Sequence, residues 1–191
     1  MHETYIADTT LEKVDYTLSP LAKGEYDNCE FVNCNFAEAS LVSCRFTECR
    51  FINCNLALVN LTDASFRDVK FLGCKVTGVR FHNCNQHSLT FSFDNCLLNY
   101  SSFYNTRIRK TTFTNCELLQ ADFAGADLTA ANFVHCNLSD TVFEETILDK
   151  VDFRSAYNYR IDPERNKLKR AKFSSEGLRG LLGKYDIIIE N

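Results

Sequence analysis

The chain has 191 residues, 45% apolar and 24% charged, with 21 Lys and Arg against 25 Asp and Glu. That suffices for one domain with a core and a polar surface, and 2 Pro with 7 Gly are too few for a disordered chain. No apolar run approaches the roughly 20 residues of a membrane span and Met1-His2-Glu3 does not open like a secretory leader, so the chain reads as soluble and cytoplasmic, with no membrane partner.

Repeats along the first eighty residues are spaced by five. Thr4 to Leu21 is degenerate and fits either a first regular coil or an irregular cap. From Leu11, steps of five give Tyr16, Leu21, Tyr26, Phe31, Phe36, Leu41, Phe46 and Phe51, and the series runs on through Phe66 and Phe71 to Phe81. Two residues before each large side chain lies a second series, Cys29, Cys34, Ala39, Cys44, Cys49, Cys54, Val59 and Ala64. Neither series carries a charge from Thr9 to Phe153. A helix would scatter the large residues around its cylinder, since five steps of about 100° advance about 500°; a simple strand would send them to alternate faces. The period is satisfied when each five residues form one short extended side and a corner, so that four sides close a coil of 20 residues. Both uncharged positions then point inward. The position two after the large residue falls in the corner, and it is Asn at 28, 33, 53, 83, 95, 105 and 115 and Gly at 73, 78 and 125. Asn and Gly tolerate the positive φ that such turns use.

Between Phe81 and Phe93 the ruler slips by two residues. Gln86 falls where a large apolar residue is expected, and a bulged corner or short loop, with His82 and His87 on it, is predicted over 82–92. A second phase then runs Phe93, Leu98, Phe103, Ile108, Phe113 and onward to Phe153. The ten Cys obey the same ruler: Cys29 to Cys84 differ by multiples of five, and so do Cys96, Cys116 and Cys136. No C-x2-C pair occurs, so a zinc site is not indicated. The cysteines read as small buried apolar residues, Ser and Thr at the same positions read as volume fillers, and no metal, cofactor or catalytic residue is expected.

After Phe153 the pattern lapses through Ala156 to Asn166 and returns at Leu168 and Phe173. Ser174-Ser175-Glu176 reads as a helix start, with a hydroxyl cap and an acid in the first turn. Leu178, Leu181, Leu182 and Tyr185 follow at helical spacing, and Ile187 to Ile189 is expected to be a short strand. An uncapped coil would expose unpaired backbone groups, so this segment, with Leu178, Leu181, Leu182, Tyr185, Ile187 and Ile189, is expected to cap the coils and to join two copies.

The blocks CEFVN-CNFAE at 29–38, ADFAG-ADLTA-ANFVH-CNLSD at 121–140 and VDFRS at 151–155 resemble the pentapeptide-repeat family. That resemblance implies an all-β fold, a right-handed quadrilateral parallel β-helix over residues 1–155, with a C-terminal cap, helix included, over 156–191. AYNYRID at 156–162, KRAKFS at 169–174 and the closing LL-x3-DIIIE are similar to the gyrase-targeting subgroup of albicidin-resistance, mycobacterial fluoroquinolone-resistance and Qnr proteins. It implies a homodimer and a DNA gyrase partner; with no base placed beside the cysteines, no phosphate loop and no H-E-x-x-H, no enzymatic activity is expected.

Charge is unevenly distributed. Residues 1–110 hold 11 basic and 12 acidic side chains; 111–149 hold Glu117, Asp122, Asp127, Asp140, Glu144, Glu145 and Asp149 with no Lys or Arg; 150–191 hold 10 basic and 6 acidic. On a coil of 20 residues those seven acids occupy three of four sides and leave the side through Phe133 free. Such a surface suits a decoy for duplex DNA that a DNA-binding enzyme grips by charge. In the subgroup it resembles, that enzyme is gyrase and the outcome is resistance to quinolone- or albicidin-like inhibitors. Acidic coils disfavour nucleic acid itself as a partner. Two tail-to-tail rods are expected to join their acidic coils into one continuous middle. The alternative is a protein-interaction scaffold of the same family with no gyrase role.

Overall fold

A computed structural model describes residues 4–185 and 187–188. The chain winds as a right-handed, four-sided parallel β-solenoid closed at its C-terminal end by a short helix. Two sides form regular sheets. On the first face β1 (Thr4–Ala7), β3 (Gly24–Asp27), β5 (Arg45–Thr47) and β7 (Ser65–Arg67) pair in parallel. On the second lie β2 (Thr10–Glu12), β4 (Glu30–Val32), β6 (Arg50–Ile52), β8 (Val69–Leu72), β9 (Phe91–Asp94), β10 (Thr112–Thr114) and β11 (Asn132–Val134). The third and fourth faces are held by single parallel bridges, such as Asn35 to Asn55 and Leu97 to Glu117 on the third and Arg80 to Ser102 to Asp122 on the fourth. Registers advance by twenty, as in Phe31 opposite Phe51 and Phe113 opposite Phe133.

Each side is short because the chain turns at every fifth residue. Positive φ recurs at that position along the chain, at Asn28, Asn33, Asn53, Asn95, Asn105 and Asn115, and at Gly73, Gly78 and Gly125. Asn83 departs from the expectation: it lies in a 3-10 turn, Phe81–Asn83, because the slipped segment begins there. Larger side chains occupy the same left-handed corner elsewhere, including Leu58 at φ 56° and Tyr100 at φ 62°.

The interior is a set of ring columns. On the second face Phe31, Phe51, Phe71, Phe93, Phe113, Phe133, Phe153 and Phe173 stack in sequence, with neighbouring centroids 4.8 to 5.3 Å apart. The fourth face contributes Phe81, Phe103, Phe123 and Phe143, also stacked. The two columns meet edge to face, as Phe113 and Phe123 do at 83°. Such pairs contribute about 0.5–1.5 kcal/mol beyond area burial.

The small inward positions do more than fill volume. Cys54 Sγ donates to the Phe31 carbonyl at 3.2 Å, Cys74 to Phe51 and Cys136 to Phe113. Ser101 Oγ donates to Val76 at 2.6 Å, Thr141 to Leu118 and Thr146 to Phe123. Cys, Ser and Thr share these sites because each couples a small side chain to one donor for a carbonyl of the coil below. All ten cysteines are free and buried.

The slipped segment forms two 3-10 turns, Phe81–Asn83 and Gln86–Ser88. Gln86 points outward and its amide donates to the carbonyls of Phe81, His82 and Cys84. Its missing core volume is supplied by Leu89 and Phe91, both buried. Phe91 pairs in register with Val69, a small-position residue. A large ring fits there because the adjacent side contributes none.

Coil-to-coil hydrogen bonds continue past Phe153: Tyr157 N bonds Cys136, Lys167 N bonds Thr146 and Lys172 N bonds Val151. Buried Asn166 takes a small position, donating to Phe143 O while its own oxygen accepts from Thr146 N. Over this last coil lie the 3-10 turn Glu176–Leu178, α1 (Arg179–Leu182) and a final turn Gly183–Tyr185. Ser174 Oγ accepts from Gly177 N at its start, whereas Ser175 makes no capping bond. Gly177 and Gly180 let this segment lie directly on Tyr159, since a Cβ at either would meet that tyrosine. The expected strand at Ile187 to Ile189 is not formed at Ile187 and Ile188, which have no regular structure; Ile189 lies outside the described residues.

Candidate functional site: the acidic belt

The coil register places Glu117 and Asp140 on the third face and its corner, Asp122, Glu144 and Glu145 on the fourth, and Asp127 and Asp149 on the first. The second face, through Phe133, carries none of the seven. The structure further divides these acids by what they bond.

Asp122 and Asp127 occupy the position just before a large residue and close the turn that follows. Asp122 Oδ1 accepts from Ala124 N at 2.9 Å, and Asp127 Oδ1 from Thr129 N and Oγ1. Asp127 is also buried, 7% exposed, and its other oxygen meets Arg109 at 2.6 Å. Burial pushes this carboxyl up, but hydrogen bonds from Arg109 and Thr129 outweigh it and hold the group below the usual carboxylate range. Glu144 pairs with Arg165 at 2.7 Å. Asp149 accepts from Lys169 N in the coil above and is flanked by Lys150. Two of the seven are thus matched to cations from outside the acidic segment, a pairing hidden from a count along the chain.

Glu117, Asp122, Asp140 and Glu145 have no ion pair among the described residues. Glu117 accepts from the Asn137 amide and Asp122 from the Ser102 hydroxyl; Asp140 and Glu145 project into solvent. The uncompensated charge therefore gathers on the third and fourth faces instead of encircling the rod.

Above the belt the last coil carries Lys167, Lys169, Arg170 and Lys172, all exposed. They stand one coil nearer the cap than the acids, Lys167 and Lys169 on the first face and Lys172 on the second, away from the two faces that hold the uncompensated acids. In the cap, Lys184 pairs with Asp162 and Glu164, both at 2.7 Å, and stands over the Tyr185 ring. Leu181 packs on the core and Leu182 is half-buried, but Leu178, Tyr185, Ile187 and Ile188 remain exposed.

One polar chain on the fourth face has the composition of a hydrolase triad. His82 Nδ1 lies 3.0 Å from Ser102 Oγ, and Ser102 Oγ donates to Asp122 Oδ2 at 3.3 Å. The hydroxyl stands in the middle, so the order that activates a serine, acid on base and base on hydroxyl, is not made. No helix among the described residues is long and apolar enough to cross a membrane, and no group of His, Cys, Asp and Glu among them is arranged to hold a metal.

A comparison with curated proteins gives no sequence match. Among solved structures, a trypsin-treated form of QnrB1, a plasmid-mediated fluoroquinolone resistance protein, superposes with TM-score 0.63 at 16% identity, covering 98% of this chain and 100% of that one. Full-length QnrB1 gives 0.55 at 16% identity, over 96% and 100%. At such identities the likeness speaks for the fold. The profile described as the pentapeptide repeat region matches residues 25–103, 44–123 and 106–181. With its five-residue turns, stacked Phe columns and four faces, the chain belongs to the pentapeptide-repeat family.

Proposed function

We propose that this protein is a non-enzymatic, cytoplasmic decoy for DNA, which docks on DNA gyrase or a related topoisomerase and gives resistance to quinolone- or albicidin-like inhibitors. The observation that carries this reading is the set of four uncompensated acids, Glu117, Asp122, Asp140 and Glu145, on two adjoining faces of a rigid rod. Fixed carboxylates on a stiff, narrow body suit a groove built for a phosphate backbone. QnrB1, which shares the fold, is described as a fluoroquinolone resistance protein. The residues 1–155 would present the acids, and 156–191 would cap the rod and join two copies through Leu178, Tyr185 and Ile187 with the half-buried Leu181 and Leu182. Of the acids expected at the site, Asp127, Glu144 and Asp149 contribute less, because Arg109 pairs with the first, Arg165 with the second and Lys150 flanks the third.

The test is a supercoiling assay with purified gyrase, with and without a quinolone. Addition of the protein is expected to alter supercoiling or relieve drug inhibition, and Asp140→Asn with Glu145→Gln is expected to abolish the effect. No effect of the wild-type protein refutes the proposal. A second reading, an interaction scaffold without a gyrase role, is favoured by the basic residues of the last coil and by the overall charge of only −4. Binding that persists unchanged from low to high salt would support it, since decoy docking weakens as ions screen the acids.

A further inference from the structure

The fourth face carries more than acids. Two coils below Asp140 and Glu144 stand Tyr100 and Tyr104, 56% and 49% exposed, at the two ends of one five-residue side. Leu58, 59% exposed, lies lower on the same corner column and leans across Gly78, whose missing side chain leaves it room. Tyr104 meets the His82 ring edge to face, with centroids 6.3 Å apart.

These side chains break two local preferences together. Tyr100 and Leu58 are large and apolar at left-handed corners where Asn or Gly is less strained. They also face water although the interior has a place for such residues at every fifth position. A position that departs from local rules without a packing gain is where a binding role is sought. Tyrosine is suited to it, since it supplies a large rigid contact with a polar tip, and interface hot spots are enriched in it.

We propose that Tyr100, Tyr104 and Leu58 form the apolar anchor of the same docking surface whose charged part is Asp122, Asp140 and Glu145. The occupant is a cationic, DNA-binding protein surface with an apolar recess next to its positive groove. This rests on the decoy reading above and extends its footprint two coils toward the N-terminus along one face. Charge then steers the encounter, while the tyrosines hold the complex once water is expelled. Duplex DNA offers no equivalent of this anchor, so an apolar contact distinguishes docking of this chain from mere binding of a polyanion.

The experiment measures binding of purified gyrase to the full chain at about 50 and about 200 mM salt, conditions chosen to vary screening. Tyr100→Asn with Tyr104→Ala is expected to weaken binding tenfold or more at both salt concentrations, leaving the salt dependence intact. Tyr104→Phe should bind nearly as the wild type does, and so should Tyr5→Ala, an exposed tyrosine on the first face. Asp140→Asn with Glu145→Gln should weaken binding mainly at low salt and flatten the dependence. Thermal unfolding confirms that each variant is folded. If the tyrosine pair binds within twofold of wild type while the acid pair weakens, the anchor is refuted and the decoy reading survives. If the tyrosine pair weakens binding and the acid pair does not, the joined footprint is refuted. If wild type does not bind, both fall.

Discussion

Phe71 and Phe93 stack face to face, centroids 4.9 Å and planes 11° apart, although twenty-two residues separate them and every other step of that column is twenty. The two extra residues are absorbed in the turns at Phe81–Asn83 and Gln86–Ser88, so the column passes the slip unbroken. Continuity of packing outranks regularity of sequence here.

Phe113 lies mid-column between Phe93 and Phe133 and edge-on to Phe103 and Phe123. Phe113→Ala is expected to destabilise the fold by about 3–5 kcal/mol, the transfer loss of a buried ring plus its cavity. Phe113→Leu should lose less than half of that. Urea unfolding monitored by circular dichroism measures both.

The small positions predict an interchange rule. Thr146 donates to Phe123 O and is fully buried. Thr146→Cys should be nearly neutral because a donor is retained. Thr146→Val keeps the shape and leaves that carbonyl with only its bond from Ala126 N, for a loss of about 0.5–1.5 kcal/mol. Equal stability of the two variants would contradict the donor role.

Alkaline stability follows from burial. Desolvation pushes the Cys49 thiol from 9.0 to about 12 and the Tyr16 hydroxyl from 10.0 to about 12. Folded values above the unfolded ones mean that this contribution is complete below about pH 9 and is lost as pH rises toward 12. Urea midpoints should hold from pH 7 to 8.5 and fall between pH 9 and 11. Over the same lower range the native thiols should resist an aromatic disulfide reagent and react only on unfolding.

The cap depends on two glycines. Gly177→Ala would drive a methyl group into the Tyr159 hydroxyl, and Gly180→Ala into its ring and carbonyl oxygen. Either should lower the melting temperature by several degrees and expose the last coil to limited proteolysis. Gly183→Ala, with open space at that position, should behave as the wild type.

Association through the cap is tested by Leu178→Asp with Ile188→Asp. Analytical ultracentrifugation should find the wild-type chain dimeric and the variant monomeric, with circular dichroism unchanged. A monomeric wild type would remove the dimer from the proposal.

Much of this architecture was legible because the solenoid writes its geometry into single positions. Phe31, Phe51 and Phe71 fall on one ruler and in one column, and Asn28, Asn33 and Asn53 mark corners that need positive φ. The site was legible only in outline. Asp127 and Arg109 lie eighteen residues apart and Glu144 and Arg165 twenty-one, so their pairing depends on which coil stands on which, and a tally of charge by segment separates them. The exposed group of Tyr100, Tyr104 and Leu58 is hidden in the sequence for a related reason: all three sit at outward positions, which the repeat otherwise fills mostly with polar residues. Large exposed apolar residues at corners held elsewhere mostly by Asn, Gly and charged side chains were the available signal. In the cap, Ile187 and Ile188 have the β-branched composition of a strand, but neither bridges to any described residue.

Since each storey touches only the storeys directly beneath and over it, the rod's length is an adjustable parameter. Removing the segment 112–131 would set Asn132 on Ser92 and leave Phe133 above Phe93, preserving both stacks. The shortened molecule would lose Glu117, Asp122 and Asp127 yet keep its cap. Set beside a full-length chain carrying Glu117→Gln, Asp122→Asn and Asp127→Asn, the excision would measure how much reach, as distinct from charge, a partner demands.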